Sequence, residues 1–151
     1  HFIVLERLQD PGNLGTILRA GEAAGITGVI MDSQTADIYN PKVIRSTMGA
    51  VFRVPFVYVE DLKAALLQLK DHGVHLYAAH LKGQNPYDQE DYTESTGFLI
   101  GNEAQGLSDE IASLADTYVK IPMAGRVESL NAAIASSVLM FEVARQRRNQ
   151  K

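Results

Sequence analysis

Three short stretches gather side chains able to hold charge and orient a reacting group. They are QDPGNLGTILRAGEAAG (residues 9–25), IGNEAQGLSDE (100–110) and IPMAGRVESLN (121–131). The first supplies the Asn13 amide and the Arg19 guanidinium, the second the Glu103 carboxylate between Gly101 and Gly106, and the third Ser129 and Asn131. The second stretch comes close to the phosphate loop G-x-x-x-x-G-K-[ST], but Leu107 stands in place of the lysine. With Glu103 inside it, such a cradle would repel a nucleoside triphosphate. If the glycines served only to turn the chain, Asn102 and Glu103 between them would have no explanation. The third stretch holds more than a corner needs: Pro122 and Gly125 shape a loop whose backbone N–H and C=O groups stay free. Local readings remain open beside these. Asn13 and Ser129 are good helix caps, Asn131 is a tolerable first-turn residue, and a lone helical arginine is usually solvated. Arg126 and Glu128 read as solvated loop charges.

Each stretch follows a short apolar run. Strands are expected at Phe2–Leu5, Gly28–Met31, Pro55–Val59, Val74–Ala79, Gly97–Ile100 and Tyr118–Ile121, which are rich in Val, Ile, Tyr and Phe. Helices are expected at Leu14–Ala24, Pro41–Thr47, Leu62–His72, Asp109–Ala115 and Leu130–Arg148. Asn40-Pro41, Asp61 and Ser108 offer N-terminal caps. Alternating strands and helices imply an α/β fold with a mainly parallel sheet covered on both faces, and in such folds ligands bind beyond the C-terminal strand ends. KGQNPYDQEDYTEST (82–96) reads as the one long polar loop. On the last helix, Leu130, Ile134, Val138 and Phe141 form one apolar stripe, and Leu139, Met140 and Val143 form another. A surface that wide is expected to be buried on two sides, one against the sheet and the other against a second chain, the alternative being a core helix within a monomer. The final ARQRRNQK reads as a basic end that suits the helix dipole.

A chain of 151 residues, 46% hydrophobic and 21% charged, suits one domain. It has no cysteine, which removes disulfides and thiolate metal sites. His72, His75 and His80 lack zinc-ligand spacing. No apolar run is long enough to span a membrane and no signal peptide is evident, so a cytoplasmic protein is expected. The net charge of −4 argues against a general nucleic-acid coat. Lys42, Arg45 and Arg53, with Arg19, are the candidate RNA contacts, although Lys42 and Arg45 equally suit a solvated helical face.

Together, DPGNLGTILRAGEAAG, LIGNEAQGLSDE and VKIPMAGRVESLNAAIASSVLMFEV resemble the three successive motifs of the SpoU (TrmH-like) family of RNA ribose 2′-O-methyltransferases, part of the SPOUT superfamily. RSTMGAVFRVP resembles the segment that this family carries between the first two, so the likeness covers nearly the whole chain. The resemblance implies a six-stranded, mainly parallel sheet with helices on both faces and a C-terminal deep trefoil knot. It also implies a homodimer, S-adenosylmethionine held in the knot loops without a metal, and transfer to a ribose 2′-hydroxyl of tRNA or rRNA. Carried over residue by residue, catalysis falls to Arg19, Asn13, Glu103, Ser129 and Asn131. Gly101, Ile121 and Leu130 would hold the cofactor mainly through backbone, with Ala79, Leu81 and Met123 enclosing it. The family arginine has been proposed as the base; a guanidinium is not deprotonated in proteins, so Arg19 is expected to act as a charge oriented by Ser129 or Asn131. Glu103 would balance that charge or fix the cofactor loop by accepting backbone N–H bonds. Residues 1–151 would form the catalytic domain, with an N-terminal substrate-binding domain absent from this chain. A catalytically silent RNA-binding module and an RNA base methyltransferase are the alternative readings.

Overall fold

The computed structural model describes residues 1–150. Seven strands form one parallel sheet: β1 (Phe2–Leu5), β2 (Gly28–Asp32), β3 (Phe56–Val59), β4 (His75–Ala79), β5 (Asn85–Pro86), β6 (Thr96–Ile100) and β7 (Thr117–Lys120), in the order β3-β2-β1-β6-β4-β7-β5. The helices are α1 (Pro11–Ala24), α2 (Pro41–Thr47), α3 (Leu62–Asp71), α4 (Asp109–Ala112) and α5 (Ala132–Arg148).

The strands alternate, and that alternation divides the core in two. Ile3 and Leu5 of β1 face α1, α2 and α5, where Leu14, Ile17, Leu18, Val43, Leu139, Met140 and Val143 are buried. Val4 faces the opposite layer, with Leu62 and Leu66 of α3 and Ile111 of α4. Three glycines weaken α1 as an isolated helix by roughly 0.5–1 kcal/mol each. Burial of Leu14, Ile17 and Leu18 contributes about 1.5–3 kcal/mol apiece and outweighs that cost. Gly15 has a packing reason: a Cβ there would lie 2.3 Å from Ser46 Cβ, so only glycine lets α2 approach this closely.

Four expectations need correction. The sheet has seven strands, not six, because the polar loop contributes β5, two residues that pair with Val119 and Lys120. That loop is anchored by Tyr92, which is fully buried and whose backbone N–H donates to Gln146 Oε1 at 2.7 Å. Beneath it, burial pushes the Tyr77 phenol up to about 12. The first helix starts at Pro11, not Leu14, because Asp10 is its cap: Asp10 Oδ1 accepts from the N–H groups of Gly12 and Asn13. Asn13 is therefore not the cap. The last helix starts at Ala132 with Asn131 as cap, so Ser129 is left out of it. The fourth helix ends at Ala112, short of Ala115.

Candidate active site

A cleft of about 700 Å³ lies where β4, β6 and β7 end. Its walls are the turn after β4 (Ala79–Lys82), the loop after β6 (Gly101–Leu107) and the segment after β7, with Ala135 and Leu139 of α5 at its base. Ala79, Leu81, Gly101, Ile121, Met123 and Leu130 all line it, as do Glu103 and Ser129. Asn13, Asn131 and Arg19 do not.

The loop after β6 is closed on itself. Asn102 and Gly106 exchange backbone hydrogen bonds at 3.2 and 2.8 Å, and Asn102 Oδ1 accepts from the N–H groups of Ala104 and Gln105. Gly106 takes a φ of 69°, a left-handed conformation that favours glycine. A Cβ on Gly101 would lie 2.2 Å from both the Gly106 carbonyl carbon and the Leu107 nitrogen. The protein's own backbone thus requires glycine at position 101.

By contrast, the backbone of residues 121–130 makes no hydrogen bond within the chain among the described residues. Backbone donors and acceptors normally find partners; here Ile121–Met123 and Glu128–Leu130, which line the cleft, keep theirs free of the chain. His80 stacks on Tyr118, with ring centroids 5.2 Å apart, and its Nδ1 accepts from the Lys82 N–H at 3.0 Å, shaping the turn after β4.

Behind the cleft, a relay of amides joins the three motif stretches. Asn131 Oδ1 caps α5 by accepting from the N–H groups of Ala133 and Ile134, which points Nδ2 at Asn13 Oδ1, 3.0 Å away. Asn13 Nδ2 faces Glu103 Oε1 at 3.5 Å. Glu103 in turn accepts from the N–H groups of Gln9 and Asp10 at 2.9–3.2 Å. The backbone that Glu103 holds is that of the loop after β1, not of the cofactor loop expected from sequence. No cation pairs with Glu103 among the described residues. Asn131 is committed to its cap and to Asn13, whereas Ser129 is exposed and its hydroxyl has no partner among the described residues. Arg19 is exposed on α1, with neither an ion pair nor a hydrogen bond among the described residues.

Sequence reasoning passed over three braces. Glu6 is 7% exposed and accepts from the Ser108 N–H and Oγ, both at 2.7 Å, tying the end of β1 to the start of α4. Asn102 Nδ2 donates to the Arg7 carbonyl at 2.8 Å. Arg7 has a φ of 53°, and its N–H is held by Asp32. A carboxylate directly after a buried strand was the available signal for Glu6. None marked Arg7. Among the described residues, no group of His, Cys, Asp and Glu is placed to hold a metal ion, and no helix is long and apolar enough to cross a membrane.

The family model of the SpoU rRNA Methylase family matches residues 1–141. The chain is 35% identical over 141 residues to the 23S rRNA (guanosine(2553)-2'-O)-methyltransferase RlmP of Bacillus subtilis, covering 93% of this chain and 56% of that protein. Its fold is similar to the crystal structure of the SpoU methyltransferase AviRb from Streptomyces viridochromogenes in complex with AdoMet. The TM-score is 0.92 at 35% identity, over 98% of this chain and 58% of that one. An AdoMet-bound rRNA methyltransferase from Sinorhizobium meliloti gives a TM-score of 0.88 at 38% identity, over 95% of this chain and 55% of that one. The chain spans a little more than half the length of each of these proteins.

Proposed function

This chain belongs to the SpoU rRNA methylase family, and from that premise we propose that it is the catalytic domain of an RNA ribose 2′-O-methyltransferase that uses S-adenosylmethionine on cytoplasmic tRNA or rRNA. The observation that carries this reading is the part of the cleft wall formed by Ile121–Met123 and Glu128–Leu130, whose backbone groups have no partner within the chain among the described residues and which shares the cleft with the closed Gly101 loop. A cofactor with an adenine edge, ribose hydroxyls and an amino-acid tail needs many small donors and acceptors at fixed positions, and this wall offers them. Ala79, Leu81, Met123 and Leu130 supply apolar cover, and Gly101 and Ile121 backbone contact. The segment after β7 is proposed to thread the loops as a deep trefoil knot; the convergence of three loops on one cleft is the local support.

When bound, S-adenosylmethionine presents a sulfonium methyl for in-line transfer to an oxygen nucleophile. No metal enters this proposal. The protein's task is to place the ribose 2′-oxygen and manage its charge. Within one protomer, Arg19 stands apart from the cleft, so it is proposed to serve the cleft of a partner protomer. There the Ser129 hydroxyl, free to accept, would receive a guanidinium N–H. Asn13, Asn131 and Glu103 would position the loops around it. Titration of S-adenosylhomocysteine into the protein, without divalent metal, is expected to show one site per chain by calorimetry. Labelled methyl transfer to total tRNA and rRNA would then identify the substrate class. A folded protein that shows no such binding overturns the proposal.

The homodimer has its support in α5. Leu139, Met140 and Val143 face the core, while Ile134 and Phe141 remain 53% and 45% exposed on the other side. We expect Ile134→Arg with Phe141→Arg to convert a dimer into a monomer in light scattering at micromolar concentration, with methyl transfer lost and S-adenosylhomocysteine affinity retained. A wild-type protein that is monomeric under these conditions overturns the shared site.

A further inference from the structure

We propose that the hollow between the start of α1 and the face of α2 is a phosphodiester subsite for the RNA substrate, with Lys42 and Arg45 as its cations. This subsite rests on the methyltransferase reading and deepens it. The hollow has a volume of about 510 Å³ and is lined by Asp10, Pro11, Gly12, Lys42, Arg45 and Ser46.

Three cations elsewhere in the chain are neutralised, and Arg53 is the one of them that packs against α1. Arg53 is paired with Glu22, Lys70 with Asp116 and Arg145 with Glu142. The side chains of Lys42 and Arg45 have no ion pair and no hydrogen bond among the described residues, and a spacing of three along α2 sets them on one face. Asp10 is the one carboxylate on the wall, and its Oδ1 is engaged by two backbone N–H groups. Two cations against one such carboxylate leave the hollow positive on a chain whose net charge is −4. Ser46 Oγ donates to the Lys42 carbonyl at 2.6 Å, so attraction falls to the cations alone. The Arg45 fork suits two oxygens of one phosphate.

Position argues for RNA backbone in particular. Asp10 on the wall of the hollow ends the loop that Glu103 grips through the N–H groups of Gln9 and Asp10, Pro11 and Gly12 open α1 directly after it, and Glu103 also lines the cofactor cleft. Hollow and cleft are thus linked through Glu103 and the loop after β1. An RNA strand whose ribose enters the cleft can lay a flanking phosphate in the hollow.

The test is RNA binding and methyl transfer by the full-length protein carrying Lys42→Gln and Arg45→Gln, singly and together, with Lys63→Gln on α3 as a remote charge control. The double variant is expected to weaken RNA binding roughly 10–30-fold, and its slope of log affinity against log salt should become shallower by about 0.7 for each cation removed. S-adenosylhomocysteine affinity and the single-turnover rate at saturating RNA should match wild type. An unchanged RNA affinity and salt slope, or an equal loss in Lys63→Gln, overturns the subsite and leaves the methyltransferase reading standing. A wild-type protein that binds S-adenosylhomocysteine but neither binds nor methylates RNA overturns both.

Discussion

Arg19→Ala is expected to slow methyl transfer by about 10²–10³-fold, the loss seen when one preorganised electrostatic donor is removed, while S-adenosylhomocysteine affinity stays at the wild-type value. The separation follows from geometry, since Arg19 is an exposed residue of α1 outside the cleft that would hold the cofactor. Its charge would steady the phosphate or the developing 2′-oxyanion. Arg19→Lys should restore only part of the rate, because a point charge does not reproduce the planar fork. Mixing experiments separate a shared site from a site within one chain. When Arg19→Ala protomers are exchanged with Gly101→Ala protomers, half of the dimers are hybrids. Each hybrid joins one intact cleft to one intact arginine, so activity should return to about a quarter of wild type. No recovery in demonstrated hybrids would place Arg19 outside the partner's site. A single-turnover rate with an ionisation near neutral pH that disappears only in Arg19→Lys, at unchanged affinities, would instead make the arginine the base.

Gly101→Ala should reduce S-adenosylhomocysteine affinity by about 10²-fold, matching the upper end, ~3 kcal/mol, of the usual cost of overpacking. A methyl at this position would lie 2.2 Å from the Gly106 carbonyl carbon and the Leu107 nitrogen. Both are backbone atoms, so the loop can relieve the clash only by opening. Opening breaks the Asn102–Gly106 bonds, releases Asn102 from Ala104 and Gln105, and displaces the wall that carries Glu103. The sheet should survive, with a melting temperature lower by about 2–4 °C for each kcal/mol lost. Gly125→Ala supplies the contrast: a Cβ there meets nothing within 4 Å, so binding and stability should be unchanged. Calorimetry showing wild-type affinity in Gly101→Ala would refute the idea that the closed loop shapes the cofactor wall.

Local pattern made the central strands and several caps legible. Phe2–Leu5 and Leu62 onward announce themselves by β-branched runs and by Asp61 before the helix. The strand Asn85–Pro86 has no such signature, since two residues carry no period and one is a proline; partner strand β7 alone defines it. At the two site corners, several cap-forming residues stand close together, and sequence does not rank them. Asp10 and Asn131 prevail because their side chains also meet the first helical N–H groups in the folded chain. The site residues stood out by type, but their partners did not. Glu103 grips backbone 93 and 94 residues away, and Arg53 is paired with Glu22, 31 residues distant. Which cations remain free, and hence Lys42 with Arg45, is therefore a property of the fold.

The relay from Asn131 through Asn13 to Glu103 can close only when nearly the whole chain has been made. Its first bond closes a separation of 118 residues and joins the opening helix to the start of the final one. Contacts of such long range form only after most of the chain's loop entropy has been spent. During synthesis the first strands can already pair while the segment after β7 is still unmade. Nascent chains would therefore be compact before the cleft is closed by the segment after β7.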